Sequence, residues 1–179
     1  MNTPNILTLL RVLMVPLFMW AMNAGLYPVA LVIFVLASIT DQLDGYLARK
    51  NNQVTTFGKL MDPLADKILT ISALVCLMEV GARYINSWVV MLIISRELIV
   101  TGIRLLALGE NKVIAASNWG KAKTVSQMLT IILVIVDLFF PLSFGGFNLT
   151  FWLVAVAVFL TLYSGVDYVV KNRHMITFK

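Results

Sequence analysis

Six long apolar runs, parted by short polar or turn-forming segments, fill almost the whole chain, at roughly 7–24, 28–49, 57–80, 86–108, 121–140 and 149–170. A helix rises 1.5 Å per residue, so about 20 apolar residues cross the roughly 30 Å of bilayer hydrocarbon. Each run is long enough. Three of the breaks carry residues that disfavour continued helix. The stretch from Asn23 to Pro28 contains Gly25, the one from Gly81 to Ser87 opens on glycine, and the one from Pro141 to Asn148 contains Gly145 and Gly146. The pattern predicts an all-α, polytopic membrane protein with six transmembrane helices. Residues 1–8, with Pro4 and mixed polarity, are expected to form a short interfacial segment before the first helix turns inward.

Composition removes the main competitor. The chain has 179 residues, of which 60% are hydrophobic and 13% charged, whereas soluble domains are about 45 to 50% apolar. Ten Gly and five Pro are too few for a collagen-like or disordered chain. Six spans leave almost no residues over, so residues 1–179 are expected to be a single membrane domain without internal repeats. Cys76 stands alone in an apolar run and is read as packing. The first run is not read as a cleaved signal, because Arg11 interrupts it early and no small-residue cleavage site follows.

The net charge of +5 raises nucleic acid as a partner, but that would need one solvated basic stripe with aromatics interleaved. Lys and Arg instead punctuate the apolar runs, so no nucleic-acid partner is expected. Their distribution sets orientation, since positive residues near helix ends stay in the cytoplasm. One side carries Arg49, Lys50, Lys59, Arg104, Lys112, Lys121, Lys123, Lys171, Arg173 and Lys179, and the other only Arg83. Both termini are therefore expected on the cytoplasmic side. Trp88, Trp119 and Trp152 near run ends suit an interfacial belt, and Asp137 and Asp167 lie near helix ends within reach of water. Gly102 and Gly165 are expected to permit close helix contact, and His174 has no second His or Cys to make a ligand set.

Four of the nine acidic residues, Asp41, Asp44, Asp62 and Asp66, fall within 26 positions on the second and third runs. An Asp at the centre of a membrane helix costs about 2.5 to 3.5 kcal/mol, which makes such a cluster a functional candidate. At about 100° per residue, Asp41, Asp44, Gly45 and Ala48 share one helix face, and Asp62 and Asp66 share another. Measured back from a loop between Lys50 and Thr56, Asp44 and Asp62 lie roughly 9 Å along their helices, and Asp41 and Asp66 roughly 14 Å. Adjacent antiparallel helices would bring all four to matched depth. Clustered carboxylates in a low dielectric must share protons or bind cations, and oxygen donors favour Mg²⁺ or Mn²⁺ over Zn²⁺. Arg49, next to the cluster, can grip a phosphate with a bidentate fork. Together these features point to metal-assisted displacement at phosphorus. Pro63 lacks the N–H that a helix interior uses, so a kink or cap is expected between Lys59 and Asp62.

Asp41-x-x-Asp44-Gly45-x-x-Ala48-Arg49, followed after eight residues by Gly58-x-x-x-Asp62-x-x-x-Asp66, resembles the full signature of the CDP-alcohol phosphotransferases, with eight positions at fixed spacing. The resemblance implies a six-helix enzyme with two divalent ions, Mg²⁺ or Mn²⁺, that transfers a phosphatidyl group from CDP-diacylglycerol to an alcohol and releases CMP. It implies that Asp41, Asp44 and Asp62 ligate metal. Asp66 would be a second-metal ligand and the general base. It also implies that Gly45, Arg49 and Gly58 receive the nucleotide, with Asn5 and Thr8 as its neighbours. For Arg11 two roles stay open, a membrane-surface anchor and a contact to nucleotide phosphate. A homodimer in the lipid bilayer is the family's pattern, and the absence of a transit-like extension points to a bacterial cell membrane with the site facing the cytoplasm.

The opening from Thr3 to Arg11, the run Ile94-Ser-Arg-Glu-Leu98 and the run Trp119-Gly-Lys-Ala-Lys-Thr124 resemble the branch of that family whose acceptor is glycerol 3-phosphate. A phosphorylated acceptor needs a cationic pocket, which Arg104, Lys121 and Lys123 could supply. The plainer alternative is that these are loop charges retained on the inside. Arg96 and Glu97, inside the fourth run, either brace the site or pair with each other or a neighbouring helix. Other acceptors (phosphatidylglycerol, serine or inositol phosphate) are alternatives within the same chemistry. An ion-coupled transporter is the rival class, but it would show inverted repeats or helices broken near the midplane, and neither is apparent.

Overall fold

A computed structural model describes the backbone of residues 3–50, 56–109, 117–144 and 147–173, and the side chains of residues 10–40, 67–107, 117–143 and 147–173. Six helices follow one another: α1 (Thr3–Asn23), α2 (Tyr27–Lys50), α3 (Thr56–Glu79), α4 (Ser87–Gly109), α5 (Asn118–Phe139) and α6 (Leu149–Lys171). Each coincides with one of the apolar runs to within a few residues. Residues 3–8 are continuous helix with the rest of α1, which also runs on through Pro16. Pro28, expected in a turn, instead lies in the first turn of α2, where a missing N–H removes no helical bond. The expected break before α6 is a small hairpin, with β1 (Ser143–Phe144) antiparallel to β2 (Phe147–Asn148) and Ser143 opposite Asn148. Gly145 and Gly146 lie outside the described residues.

Two helix ends are closed in the same way. After α1, Leu26 N–H donates to Ala21 O at 2.9 Å and Gly25 N–H to Met22 O at 3.1 Å; after α3, Ala82 N–H donates to Leu77 O at 2.9 Å and Gly81 N–H to Met78 O at 3.1 Å. Both glycines have φ of 71°, the left-handed conformation that this cap demands. A Cβ at either glycine would meet nothing within 4 Å, so a side chain there is opposed by the backbone alone. Gly81→Ala is expected to destabilise the protein by about 1–2 kcal/mol and to lower the unfolding midpoint of the detergent-solubilised protein by a few degrees. An unchanged midpoint would show that the cap contributes nothing. Starts are capped as well: Val89 N–H donates to Asn86 Oδ1 at 3.0 Å at the head of α4, and Gly120 N–H to Ser117 Oγ at 3.1 Å at the head of α5.

The chain divides into two compact units, Met1–Ala82 with Ile131–Pro141, and Arg83–Thr130 with Leu142–Lys179. In the first, α1 packs along both α2 and α3, while among the described residues α2 and α3 touch each other much less. Val15, Phe18 and Met22 form the buried stripe of α1, at the three- and four-residue spacing of one helix face. Ala30, Phe34 and Ala37 of α2 and Leu69, Ala73 and Leu77 of α3 are buried as well. The Phe18 and Phe34 rings stand 5.8 Å apart. In the second unit α4 packs on α6, where Val100 and Ile103 enclose Tyr168. Thr130 Oγ1 donates to Leu153 O at 3.2 Å and so ties α5 to α6.

The outward faces are apolar, with Leu13, Leu17, Trp20, Met91, Phe159 and Val166 all exposed. Water would penalise such a surface, and hydrocarbon does not. Hydroxyls inside the helices return to their own backbone, as Ser38 does to Phe34 O at 2.8 Å and Thr161 to Ala157 O at 2.6 Å. This meets the requirement that polar groups in a bilayer be satisfied internally. Among the described residues α5 and α6 are long and apolar enough to cross a membrane. The described residues are all-helical apart from the hairpin, and these two helices have the length and composition of membrane spans. The two glycines expected at helix contacts differ: a Cβ at Gly102 would meet nothing within 4 Å, so no close contact exists there, while one at Gly165 would lie 2.9 Å from Arg96 Cγ.

Candidate active site

The acidic signature falls entirely within the first unit. Asp41, Asp44, Gly45 and Arg49 occupy the last three turns of α2, and Gly58, Asp62 and Asp66 the first three of α3. Asn5 and Thr8 lie at the start of α1. Beyond the backbone, all nine lie outside the described residues. The helices end at Lys50 and begin again at Thr56, the two points from which the depths of the aspartates were counted. Asp44 and Asp62 are thus each six residues from their helix end. α3 stays helical through Pro63.

Arg11 is the first unit's unexpected member. It is 1% exposed and shares the packed stripe of α1 with Val15, Phe18 and Met22, which removes the role of an exposed surface anchor. The Phe18–Phe34 contact sets the register of α1 against α2. Seven residues back along α1 from Phe18 is Arg11, and seven on along α2 from Phe34 is Asp41. Both steps are about 10 Å at the helical rise, so the two positions share one level. The signal was present in the sequence as the spacing 11, 15, 18, 22, in which an arginine continues an apolar face.

The second unit holds the basic candidates. Lys123, on α5, is 2% exposed and pairs with the buried carboxylate of Glu97, on α4, through Oε1. Arg96 Nη1 donates to the same oxygen at 3.1 Å, and its Nη2 donates to Ser164 Oγ on α6 at 3.0 Å. Arg96 and Glu97 therefore pair with each other and also reach neighbouring helices. Arg104, two turns beyond Glu97 on the same face of α4, donates from Nε to Tyr168 Oη at 3.3 Å, and its guanidinium carbon lies 5.4 Å from the centre of that ring. Lys121 is exposed. Two residues from Lys123 is about 200° of helix rotation, so the two lysines lie on opposite sides of α5. The sequence reading missed Ser164 and Tyr168. Their only signal was a polar Ser-Gly step followed four residues on by Tyr in an otherwise apolar run. Asp167 pairs with exposed Lys171 at 2.7 Å, one turn along α6.

Residues 1–163, spanning parts of both units, match the family described as CDP-alcohol phosphatidyltransferase. The chain belongs to the CDP-alcohol phosphatidyltransferase family. A Bacillus subtilis (strain 168) protein named CDP-diacylglycerol--glycerol-3-phosphate 3-phosphatidyltransferase is 43% identical over 96% of this chain and 95% of its own length. A Mycobacterium tuberculosis (strain H37Rv) protein named probable phosphatidylglycerophosphate synthase is also 43% identical, over 95% of this chain and 81% of its own length. A Haemophilus influenzae protein with the same name as the Bacillus one is 41% identical over 73% of each chain. The family match ends within α6, so the last two turns of that helix and the residues after it lie beyond it.

Proposed function

We propose that this CDP-alcohol phosphatidyltransferase moves the phosphatidyl group of CDP-diacylglycerol onto a hydroxyl of glycerol 3-phosphate, forming phosphatidylglycerophosphate and releasing CMP. The observation that carries this reading is near full-length similarity at 43% identity to a bacterial relative named for that transfer. The acceptor oxygen forms a bond to the lipid-bearing phosphorus, the bond from that phosphorus to the bridging pyrophosphate oxygen breaks, and CMP leaves with the electron pair. Asp66 accepts the hydroxyl proton as general base.

Asp41, Asp44, Asp62 and Asp66 would hold two divalent ions, Mg²⁺ or Mn²⁺. The donor set supports this fit, because it offers four hard carboxylates on adjoining ends of α2 and α3 and the helix ends bring them to paired levels. When bound, such ions supply positive charge that offsets the charge building on the phosphate oxygens. Gly45 and Gly58 leave room for the nucleotide, Arg49 grips its pyrophosphate, and Asn5 and Thr8 border it. In the second unit Arg104 and Lys123 take the acceptor's phosphate, and Lys121, exposed on the opposite side of α5, is left as an inside loop charge. Arg104 and Lys123 are held by fixed partners, which favours a defined phosphate seat over mobile loop charge.

The whole chain acts as one catalytic domain of six membrane crossings with both termini in the cytoplasm, working as a homodimer in a bacterial cell membrane. The excess of Lys and Arg at one set of helix ends supports this orientation. The test is to incubate the purified protein with CDP-diacylglycerol and Mg²⁺ or Mn²⁺, supplying glycerol 3-phosphate, serine, inositol phosphate or phosphatidylglycerol in turn. CMP release and the lipid product are then measured. Release only with glycerol 3-phosphate, abolished by EDTA, is expected. Release with another acceptor and none with glycerol 3-phosphate would overturn the assignment.

A further inference from the structure

Arg96 stands where three helices of the second unit meet. From α4 it reaches Ser164 on α6 at 3.0 Å and Glu97 beside it at 3.1 Å, and the same Glu97 oxygen holds the ammonium of Lys123 on α5. Its stem crosses α6 where a side chain is missing: a Cβ on Gly165 would come 2.9 Å from Arg96 Cγ, closer than real contacts allow. On the α5 side, a Cβ on Gly120 would lie 4.0 Å from Nη2. Ser164 is wholly buried and donates its own proton to Thr161 O at 3.2 Å, so its oxygen is presented to the guanidinium as an acceptor. Packing and hydrogen bonding together allow this arginine essentially one placement.

The shared oxygen has a positional consequence. Arg96 fixes where Glu97 Oε1 sits, and that oxygen in turn receives the Lys123 ammonium. Moving Arg96 away would release the carboxylate to turn about its own side chain and carry the ammonium with it.

We propose that Arg96 is a positioning residue for the acceptor: seated on Ser164 and Gly165, it shares and orients the Glu97 carboxylate and thereby holds the Lys123 ammonium fixed toward the acceptor's phosphate. This rests on the assignment of Lys123 to that phosphate. Ser164→Ala removes the seat's oxygen with little change in packing, and Gly165→Ala displaces the arginine stem. In the purified full-length protein each is expected to raise KM for glycerol 3-phosphate about tenfold, the scale of one charge-assisted hydrogen bond. The kcat and the KM for CDP-diacylglycerol stay within about twofold, as for a loss of ground-state binding. Ser164→Ala keeps the test decisive if Gly165→Ala fails to fold.

A purely structural brace would lower thermal stability and kcat while both KM values moved together, and that outcome overturns the proposal. An unmoved glycerol 3-phosphate KM in Ser164→Ala overturns it too. Lys123→Ala measured alongside separates the two readings. A raised KM there with none in Ser164→Ala removes only the role of Arg96, whereas an unmoved KM in Lys123→Ala removes the acceptor assignment and this proposal with it.

Discussion

Asp66→Asn abolishes CMP release, to below about one-thousandth of the parent rate, while labelled CDP-diacylglycerol is still partly retained by the detergent-solubilised protein. Asn keeps the size and one oxygen of Asp but neither the charge nor the capacity to accept a proton. Loss of a general base alone lowers rates by about 10²–10⁴-fold, and this variant also weakens the metal donor set. On the proposed assignment three aspartates and Arg49 remain to receive the nucleotide, so binding falls less than turnover. The comparison is a single-turnover CMP assay beside a lipid-retention assay on one preparation. Full turnover would remove Asp66 from proton transfer, and equal loss of binding and turnover would make it a metal ligand alone.

Glu97→Ala is expected to be the most destabilising single change in the second unit. Its carboxylate is buried and serves two cations, Lys123 and Arg96, through one oxygen. Removing one partner of a buried ion pair costs about 3–5 kcal/mol, because the remaining charges keep their desolvation penalty and lose their compensation. The expected result is a large drop in the unfolding midpoint of the solubilised protein. Glu97→Leu combined with Lys123→Met should recover part of it, since both charges then leave together and the volume is refilled. If the double variant is as unstable as the sum of its singles, the pair does not act as a unit.

These two predictions draw on different kinds of legibility. Asp66 could be chosen from the sequence, because its significance lies in spacing along two helices and in the rarity of acids in an apolar run. The roles of Ser164 and Tyr168 could not, for nothing in the apolar run around them marks the arginines that they receive. Lys121 and Lys123 looked equivalent as letters two apart, yet one is exposed and the other buried. Gly102 and Gly165 likewise looked alike, and only the second has a neighbour that needs its missing side chain.

The apolar runs and their breaks were enough to determine the six helices and their ends, because backbone groups in apolar surroundings must bond within their own segment. Gly25 and Gly81 mark two of those ends through a backbone conformation that other residues adopt at a cost. The tertiary structure alone decided which charges meet. Glu97 and Lys123 are 26 positions apart, and Arg96 and Ser164 are 68 apart. Their meeting depends on how each helix is rotated about its axis. Periodicity sets that rotation poorly when the faces toward lipid and toward protein are equally apolar, as they are here.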